Sequence, residues 1–558
     1  MGSWPAKLRQ ADLARSFGTP LYVLNSDQLV RNAREFIALT GDAGSVAYPV
    51  KANPSLAVLR ILAELGCAAD CAAEHEVRAA LMAGFRHPSI IYNTPVPDRA
   101  LMADLYLAGA TVVADSEPIL SDLARRVGDA PALGRLLVRV NPREPVEYLH
   151  QEDWQSLTSH SSSTAKFGIP SEELADIVAN CPRPVDGLHI HVGTQMDHLS
   201  PFLGALQLLH RLGDEIASRT GRPIRVFDLG GGLGIRFQAG QRFPSATAYV
   251  EALRPDLRPG CQYLVEPGHA LVGDAVAMLA EVCEVKEIRG RRWALLNVGT
   301  DQLAKVTLLR WHHQILGPDG SALPAEGPDA IGGPHCFAGD VLLPHTRLGA
   351  LRVGDTVLIE NVGAYCFALA NHFNGRHGPA HIQVDDSGQQ ADRTHRAEDW
   401  FFEPGQVGYL WAHAGRPRGA ELDLAVVNAL SSSYLRLLSA QDAYSFLSVE
   451  DLGSRAYRFG IQAESPLGVV SMPFAVRMAG DAAIIATLHG LGKGAKDMSV
   501  WGTRLAMTAA AHMPTDQPLD LRLATTPPVR RNGGVGARAT AHWEFNGGVF
   551  HGSFRLAW

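Results

Sequence analysis

The chain has 558 residues, of which 46% are hydrophobic and 19% are charged, and its formal net charge is -7. This composition is typical of a folded globular protein, and the small negative charge gives no electrostatic reason to bind nucleic acid or acidic membranes. Small molecules are therefore the expected partners. The seven cysteines form no CxxC pairs and accompany no histidine cluster, so we expect neither a disulfide framework nor a metal site. No signal-peptide or membrane-spanning run occurs, which predicts a cytoplasmic protein.

From about residue 45 to residue 268, short apolar or β-branched runs alternate with amphipathic helical segments. The candidate strands are SVAYPV, CAADCA, SIIYN, TVVADS, RLLVRV, DGLHIHV, RVFDLG and QYLVEP. The segments between them, such as PSLAVLRILAELG and SEELADIVANC, repeat apolar residues every three or four positions, as a helix packed by one face does. This alternation predicts a closed (β/α)8 barrel over residues 27–270, with reactive groups at the carboxyl ends of the strands. An open doubly wound sheet is the alternative.

Two further domains are predicted beside the barrel. Period-two strands in AVAMLAEVCEVKEI, RRWALLNVG and GDTVLIENVG predict a β-rich domain formed by residues 1–26 and 271–404. Residues 405–558 predict an additional α+β domain, with helices in AELDLAVVNALSSSYLRLL and DMSVWGTRLAMTAAAHM and a final strand pair joined at Asn546-Gly547. The order of its elements is hotdog-like, which would suit an acyl-binding role. The Ser-rich segment from Val146 to Thr164 predicts a mobile loop.

Two strand ends carry groups suited to covalent and electrostatic chemistry. Lys51 in AYPVKAN ends the first barrel strand, where a lysine is unfavourable unless it is paired or used covalently, as in Schiff-base formation with a carbonyl. Glu266 in VEPGHAL could pair with a ring nitrogen and keep an aromatic cofactor protonated. The ordinary alternatives are a surface lysine and an ion pair within the barrel.

Two other strand ends are suited to holding a flat, phosphorylated ligand. The glycines of DLGGG, Gly230 to Gly232, permit positive φ and could direct backbone N–H groups toward an anion, although a tight turn explains them equally well. GLHIHVG places His189 and His191 on one face of a strand. These histidines could stack on a cofactor, bind a metal or simply lie in the core.

The order of the motifs matches one family. From GTPLYVLN through YPVKAN, ADCAAEHE, RVNP, KFG, HVGTQ, DLGGGLG, EPG, GPHCFAGD and GAYCFALANHFNG, the chain resembles the fold-type III pyridoxal 5′-phosphate (PLP) decarboxylases. This group acts on diaminopimelate, ornithine and related amino acids. The resemblance covers roughly residues 15 to 400 and implies a PLP-dependent α-decarboxylase that releases CO2 and an amine.

The resemblance also implies roles for individual residues. Lys51 would bond covalently to PLP, His191 would stack on its ring and Glu266 would pair with its ring nitrogen. Asp70 and Glu76 match a carboxylate pair near the lysine. The other implied cofactor contacts are Thr194, Gly230, Gly231, Gly232, Gly268, His269 and Tyr365.

The stretch GGPHCFAGD supplies the group that would finish the reaction. By resemblance, Cys336 returns a proton to Cα and reaches the site of the partner subunit, which implies a homodimer with shared active sites. Asp340, which completes the motif, and Tyr365 are the further implied substrate contacts.

Four positions depart from the family pattern. His269 stands where an arginine usually supports the phosphate, and Lys305 and Leu309 stand where diaminopimelate decarboxylases place a substrate-binding arginine and a tyrosine. Phe337 replaces an acid that binds the distal ammonium of the substrate. Because a phenylalanine cannot pair with that ammonium, we expect a substrate with an acidic, acylated or conjugated distal end.

The pathway implied by these departures is biosynthetic, of a specialised-metabolite or siderophore type, with an acyl group or carrier protein contacting the C-terminal domain. Three alternatives stay open. The first is a diaminopimelate, lysine or ornithine decarboxylase proper. The second is a racemase or epimerase on the same fold, against which Glu266 argues because an arginine usually faces the ring nitrogen there. The third is a non-catalytic PLP carrier, although such proteins are single barrels without a β domain.

Overall fold

The computed structural model describes residues 4–8, 10–130, 134–143, 158–159, 165–376, 378–386, 420–421, 443–452, 455–464, 469–470, 472–490, 501–509, 513–514, 518–525, 529–530, 537–545 and 550–557. The chain divides into two compact units, Met1–Thr394 and His395–Trp558. Most of the Ser-rich segment at 146–164, the Asn546-Gly547 turn and residues 422–438 of the first helix predicted in the C-terminal domain lie outside the described residues.

The first strand of the first unit belongs to a sheet whose other strands follow the barrel in the sequence. Its first elements are a 3-10 helix (Trp4–Lys7), α1 (Gln10–Phe17), β1 (Leu21–Asn25) and α2 (Ser26–Thr40). The side chain of Asn25 accepts a hydrogen bond from the backbone N–H of Gln28 at 2.9 Å, and Gly41 ends the helix in the left-handed conformation.

The barrel follows in strict alternation. Its elements are β2 (Ala47–Pro49), α3 (Leu56–Glu64), β3 (Ala68–Cys71), α4 (Glu74–Ala83), β4 (Ile90–Asn93), α5 (Arg99–Leu107), β5 (Thr111–Ala114), α6 (Glu117–Val127), β6 (Arg135–Asn141), β7 (Ile169–Pro170), α7 (Leu174–Ala179), β8 (Gly187–His189), α8 (Ser200–Thr220), β9 (Val226–Asp228), α9 (Ala246–Leu253) and β10 (Gln262–Leu264). Short 3-10 helices lie at Ala43–Ser45, Val50–Ala52, His87–Ser89 and Arg254–Asp256.

The parallel sheet closes on itself. The strand order is β10-β9-β8-β6-β5-β4-β3-β2, β7 pairs with β6, and a parallel bridge between Val46 and Val265 joins the two ends. The N–H of Ala47 donates to the carbonyl of Val265 at 2.9 Å. The predicted closed barrel is therefore confirmed, and the alternative of an open sheet is wrong. One apolar residue from most of the strands fills the barrel interior: Ala47, Ala68, Ile91, Val113, Leu137, Val226 and Leu264.

A second sheet completes the first unit. Its elements are α10 (His269–Val272), β11 (Val276–Ile288), β12 (Arg291–Leu296), α11 (Ala304–Leu309), β13 (Ile315–Leu316), β14 (Asp329–Gly332), β15 (Val341–Thr346), β16 (Thr356–Ile359) and β17 (Ala380–Val384), with 3-10 helices at Gly273–Ala275, Phe367–Leu369 and Phe373–Gly375. The strand order is β13-β16-β11-β12-β14-β15, and β1 pairs antiparallel with β11 and parallel with β17. The predicted β-rich fold beside the barrel is confirmed.

The second unit packs an antiparallel sheet on one buried helix. Its elements are β18 (Ala420–Glu421), β19 (Ala443–Asp451), β20 (Ala456–Glu464), β21 (Val469–Val470), α12 (Met472–Gly490), β22 (Trp501–Ala509), β23 (Met513–Pro514), β24 (Leu519–Thr525), β25 (Val529–Arg530), β26 (Ala537–Phe545) and β27 (Phe550–Ala557). The main sheet has the order β18-β19-β20-β24-β26-β27-β22. Every residue of α12 from Met478 to Leu488 is buried, and the helix contacts β20, β24 and β27. This agrees with the predicted α+β class and with a hotdog-like arrangement of a sheet around a helix.

One helix of this unit was assigned to the wrong segment. The segment DMSVWGTRLAMTAAAHM forms strands β22 and β23 rather than the predicted helix, because Trp501, Leu505 and Met507 recur with period two and β22 pairs along its length with β27. The described start of the other predicted helix, Ala420–Glu421, is also a strand. The predicted final strand pair is confirmed as β26 and β27. Within the described residues, no helix has the length and apolar character needed to cross a bilayer.

Candidate active site

A cavity of about 360 Å³ lies at the carboxyl ends of the barrel strands. Eleven of the residues singled out in the sequence line it: Lys51, His189, His191, Thr194, Gly232, Glu266, Gly268, His269, Lys305, Leu309 and Tyr365. The structure adds lining residues to which the sequence assigned no role, among them Asn93, Arg139, Trp311 and Leu369. The strand-end motifs therefore converge on one cavity, as a barrel requires.

Lys51 is held by a buried carboxylate. The 3-10 turn after β2 places its Nζ 2.7 Å from Oδ2 of Asp70, which is fully buried near the end of β3. Burial opposes protonation of Lys51, but the charges of Asp70 and Glu266 outweigh it and hold the pKa of the lysine above its ordinary value. Glu76 is also buried, its pKa is raised by burial, and its Oε2 accepts the N–H of Ala72 at 2.6 Å. The implied pair of carboxylates thus lies close to the lysine, but only Asp70 contacts it.

Glu266 belongs to a compact polar cluster opposite Lys51. Its Oε1 lies 3.4 Å from Nε2 of His189. Asp228 completes the cluster, because one side-chain nitrogen or oxygen atom from each of His189, Asp228 and Glu266 lies within 4.8 Å of the other two. Burial alone would raise the pKa of Glu266, but His189 and Lys51 outweigh burial and lower it. Burial and the negative charge of Glu266 raise the pKa of Asp228 far above its ordinary value. Glu266 is therefore the anion of the cluster and Asp228 a neutral acid.

Arg139 is a site residue that the sequence motif RVNP contained but that received no role. It lies on β6, with Nη1 3.4 Å from Oδ1 of Asp115 and its guanidinium 4.4 Å from the centre of the Phe167 ring. Asn93, at the end of β4, places its Nδ2 3.2 Å from Nε2 of His189. These contacts give the Lys51 end of the cavity a second cation and fix the histidine beside Glu266.

The glycine segment supports the cavity mainly through its backbone. Gly230 and Gly232 have φ values of 62° and 120°, and a Cβ on Gly231 would lie 2.0 Å from the carbonyl oxygen of Glu266. The N–H of Gly230 donates to Oδ1 of Asp228, and the N–H of Gly231 donates to Nδ1 of His191, each at 3.0 Å. These two amides orient neighbouring side chains, so among the three glycines only Gly232 lines the cavity.

His269 lines the cavity three residues after Glu266. Its ring packs against Tyr365 at 4.7 Å and Trp311 at 5.5 Å between ring centres, and its Nε2 is buried without a hydrogen-bond partner in the described structure. Burial, followed by the positive charge of Lys305, lowers the pKa of His269 well below its ordinary value. The histidine is therefore neutral and has an unused polar atom.

Lys305 borders the cavity near His269. The side chain is fully buried, its Nζ donates to the carbonyl of Ala364 at 2.7 Å, and it lies 4.7 Å from the Phe237 ring centre and 5.9 Å from that of Trp311. Burial lowers the pKa of Lys305. Lys305 borders the cavity with its ammonium bonded to a backbone carbonyl, and the substrate-binding role expected for it stays a prediction.

The residues of the GGPHCFAGD stretch lie outside the cavity of their own chain as the structure describes it. Cys336 is exposed and donates its N–H to Oδ1 of Asn374 at 3.1 Å, and Phe337 is 46% exposed. Asp340 is buried, and its carboxylate accepts the N–H groups of Thr300 at 2.7 Å and His335 at 2.9 Å. Asp340 thus fixes the turn that carries Cys336, and the roles expected for these residues in a partner site stay predictions.

The residues present fit PLP. Lys51 supplies an amine, and the buried carboxylate of Glu266, which lines the cavity, suits an acceptor for a protonated ring nitrogen. His191 accepts the N–H of Gly231, and His269 supplies an unpartnered nitrogen. The sequence motifs predicted the amine and the acceptor but not the neutral Asp228, although DLGGG contains it.

Comparisons with known proteins agree with this site. Residues 26–273 match the family model described as "Pyridoxal-dependent decarboxylase, pyridoxal binding domain". The diaminopimelate decarboxylase of Zymomonas mobilis is 28% identical over 414 residues, covering 72% of this chain and 96% of that protein. That of Pseudomonas aeruginosa is 31% identical over 399 residues, covering 69% and 92%. The crystal structure of Helicobacter pylori diaminopimelate decarboxylase complexed with L-lysine has a TM-score of 0.62 at 23% identity, covering 70% of this chain and 97% of that one.

Proposed function

Because the chain belongs to the family of pyridoxal-dependent decarboxylases, we propose that it removes the α-carboxylate of a diaminopimelate-type amino acid as CO2. The chain is a PLP-dependent carboxy-lyase. The observation that carries the proposal is the placement of Lys51 in one cavity with Asp70 and the anionic Glu266.

PLP, when bound, supplies an electron sink for the electron pair left on Cα as CO2 departs. The chain's own residues prepare the site for it. Asp70 holds the amine of Lys51, and Glu266, kept ionised by His189 and Lys51, offers an acceptor that favours a protonated ring nitrogen. His191 is held by the N–H of Gly231, so in its neutral form the proton is on Nε2. Each of these groups is therefore oriented by the protein itself, without help from solvent.

Diaminopimelate is the first substrate to test. Relatives that carry this name are 28% and 31% identical over most of their length. Lysine and ornithine are smaller members of the same substrate class.

The second candidate is an amino acid whose distal end is acidic, acylated or conjugated. Phe337 favours it, because a phenyl ring offers no charge to a distal ammonium and would leave that cation unpaired if it were buried. A pathway with such a substrate would be biosynthetic and specialised. An acyl or carrier-bound group could then contact the C-terminal unit, which is tested by comparing CO2 release from free and carrier-tethered forms of one substrate.

The deciding experiment is mass spectrometry of the purified full-length enzyme with meso-diaminopimelate, lysine, ornithine and their N-acylated derivatives. We expect loss of CO2 from diaminopimelate and the appearance of lysine. Stronger turnover of an acylated derivative would favour the second candidate. Exchange of the Cα proton with deuterium, without CO2 from any compound, would overturn both and favour a racemase.

We also propose a cytoplasmic homodimer in which Cys336 serves the partner's cavity. The support is an exposed apolar set near this cysteine in the single chain: Leu308 is 60% exposed, Phe337 46% and Phe373 48%. The test mixes Lys51→Ala and Cys336→Ala proteins, each nearly inactive alone. Mixed dimers contain one site with both native residues, so activity should return. If the mixture were only as active as the sum of the two variants measured alone, the shared site would be contradicted.

A further inference from the structure

We propose that Lys305, which packs on the same aromatic rings as His269 at the border of the cavity, is the counter-charge of the cofactor's phosphate rather than a contact for substrate. In this arrangement His269 supplies the contacting N–H group, and Lys305 supplies the positive potential. Lys305 is thus a positioning residue for PLP.

The buried cations around the cavity differ in whether the protein supplies a counter-charge. Lys51 pairs with Asp70, and Arg139 pairs with Asp115. Lys305 is as deeply buried, yet within the described residues the structure records no ion pair between it and a carboxylate. A buried ammonium without a counter-charge is unfavourable. An anion supplied by a ligand would remove that penalty.

The surroundings of Lys305 do not provide the missing anion. Its amine donates to the carbonyl of Ala364 and faces the rings of Phe237 and Trp311. The nearby thiol of Cys366 is fully buried, and burial raises its pKa, which keeps it neutral. Rings and a carbonyl stabilise a cation only in part.

The position of His269 points to the same role. Its ring packs on Trp311 and Phe237, the two rings on which the Lys305 ammonium also lies. Its Nε2 is buried without a hydrogen-bond partner, and beside it Gly268 is so close to Tyr365 that a Cβ would lie 3.1 Å from the tyrosine hydroxyl. This part of the cavity therefore combines the unpartnered imidazole nitrogen of His269, the backbone of Gly268 and the buried cation Lys305, which together form the donor set of a phosphate site.

A phosphate is favoured over a substrate carboxylate as the anion. Lys305 borders the cavity but is fully buried, so it acts on a bound anion through its positive potential, and a dianion gains more from such a potential than a single negative charge does. PLP also brings its phosphate to every turnover, whereas a substrate carboxylate leaves Lys305 uncompensated between turnovers.

The test compares PLP with pyridoxal, which lacks the phosphate, on full-length protein stripped of cofactor. Lys305→Gln keeps a donor for the Ala364 carbonyl but removes the charge, and Lys305→Met removes both. We expect both variants to weaken PLP binding about tenfold or more, while pyridoxal binding changes less than about twofold. Lys286→Met, which removes an exposed lysine of β11, is the matched control and should change neither affinity.

A second measurement separates this role from a structural one. The cofactor-free Lys305→Gln protein should melt at the same temperature as the native apoprotein or higher, and PLP should raise its melting temperature less. Equal weakening of PLP and pyridoxal would overturn the proposal. So would unchanged PLP affinity with a raised KM for substrate, or unfolding of both cofactor-free variants, because each result assigns Lys305 another role.

Discussion

Two groups of residues around the cavity treat buried charge in opposite ways. In the first group, the cations Lys51 and Arg139 each face a carboxylate of the protein. In the second group, the cation Lys305 faces a carbonyl and two aromatic rings. The charges of the first group are therefore balanced before any ligand arrives, whereas the second group requires an anion to become balanced.

The difference separates chemistry from binding. Groups that must change or share protons, such as Lys51 and Glu266, are surrounded by partners that fix their charge state. A group that must attract a charged ligand gains more from having no partner in the protein, since that partner would compete with the ligand.

Lys51→Ala removes the cation that pairs with Asp70. The substitution removes the amine that would tether the cofactor and leaves Asp70 buried without its cation. Because tethering gives effective molarities on the order of 10⁵ M or more, we expect kcat to fall by at least about 10³-fold. Steady-state CO2 release measures the effect, and retention of more than a tenth of the activity would contradict it.

Glu266→Gln keeps the shape of the acid but removes its charge. The ring nitrogen of PLP would then lose the anion that favours its protonation, and we expect kcat to fall by about 10²- to 10³-fold. Single-turnover CO2 release checks the prediction. Asp228→Asn is the matched control, because Asp228 is the neutral acid of the cluster and its amide should cost far less activity.

Cys336→Ala tests whether the cysteine takes part in the last step of the reaction. If the thiol returns the proton to Cα, kcat should fall by about 10²-fold and the share of carbonyl by-product should rise relative to the amine. Product analysis by mass spectrometry measures both. An unchanged rate together with an unchanged product ratio would exclude this role for Cys336.

Phe337→Glu tests whether residue 337 faces the distal end of the substrate. The new carboxylate could pair with a distal ammonium, so the KM for free diaminopimelate or lysine should fall about tenfold while that of an N-acylated derivative rises. Phe337→Gln, which adds polarity without charge, is the control. If diaminopimelate is already a good substrate and Phe337→Glu leaves its KM unchanged, Phe337 does not face the distal group.

Asp274→Asn tests a buried charge outside the cavity. Burial raises the pKa of Asp274 to about 6, although Nδ2 of Asn32 donates to its Oδ1 at 2.6 Å. Because the folded-state pKa exceeds the unfolded one near 4, the carboxylate destabilises the fold as pH rises through 6, by roughly 1–3 kcal/mol. The variant should therefore be more stable than the native chain at pH 8 and equal to it at pH 4. Thermal unfolding at the two pH values measures this.

Much of the barrel and the core of the site could be predicted from the sequence. Each barrel strand is a short apolar run, and Lys51 and Glu266 follow such runs directly, so the closed sheet necessarily brings them together. The burial of Lys305 could not be predicted, because it depends on Phe237 and Trp311, which other segments supply. Nor could the neutral state of Asp228, which depends on its distance from Glu266.

The C-terminal unit shows where pattern reasoning failed. Helix α12 is buried along its described side chains, so it has no polar face to give a helical period, and the sequence reasoning passed over it. Strand β22 contains Leu505, Ala506 and Met507, which favour a helix locally, but pairing with β27 outweighs that preference.

The position of β1 has a consequence for how the chain folds during synthesis. Leu21 of β1 pairs with Leu279 of β11 on one side and with Ala380 of β17 on the other. The strand made first therefore remains an unpaired edge until residues near 380 have left the ribosome, whereas the barrel strands can pair with neighbours made shortly before them. Since pairing of distant segments is slow and open edges favour association with other chains, we expect the stretch LYVLN to benefit from a chaperone during synthesis.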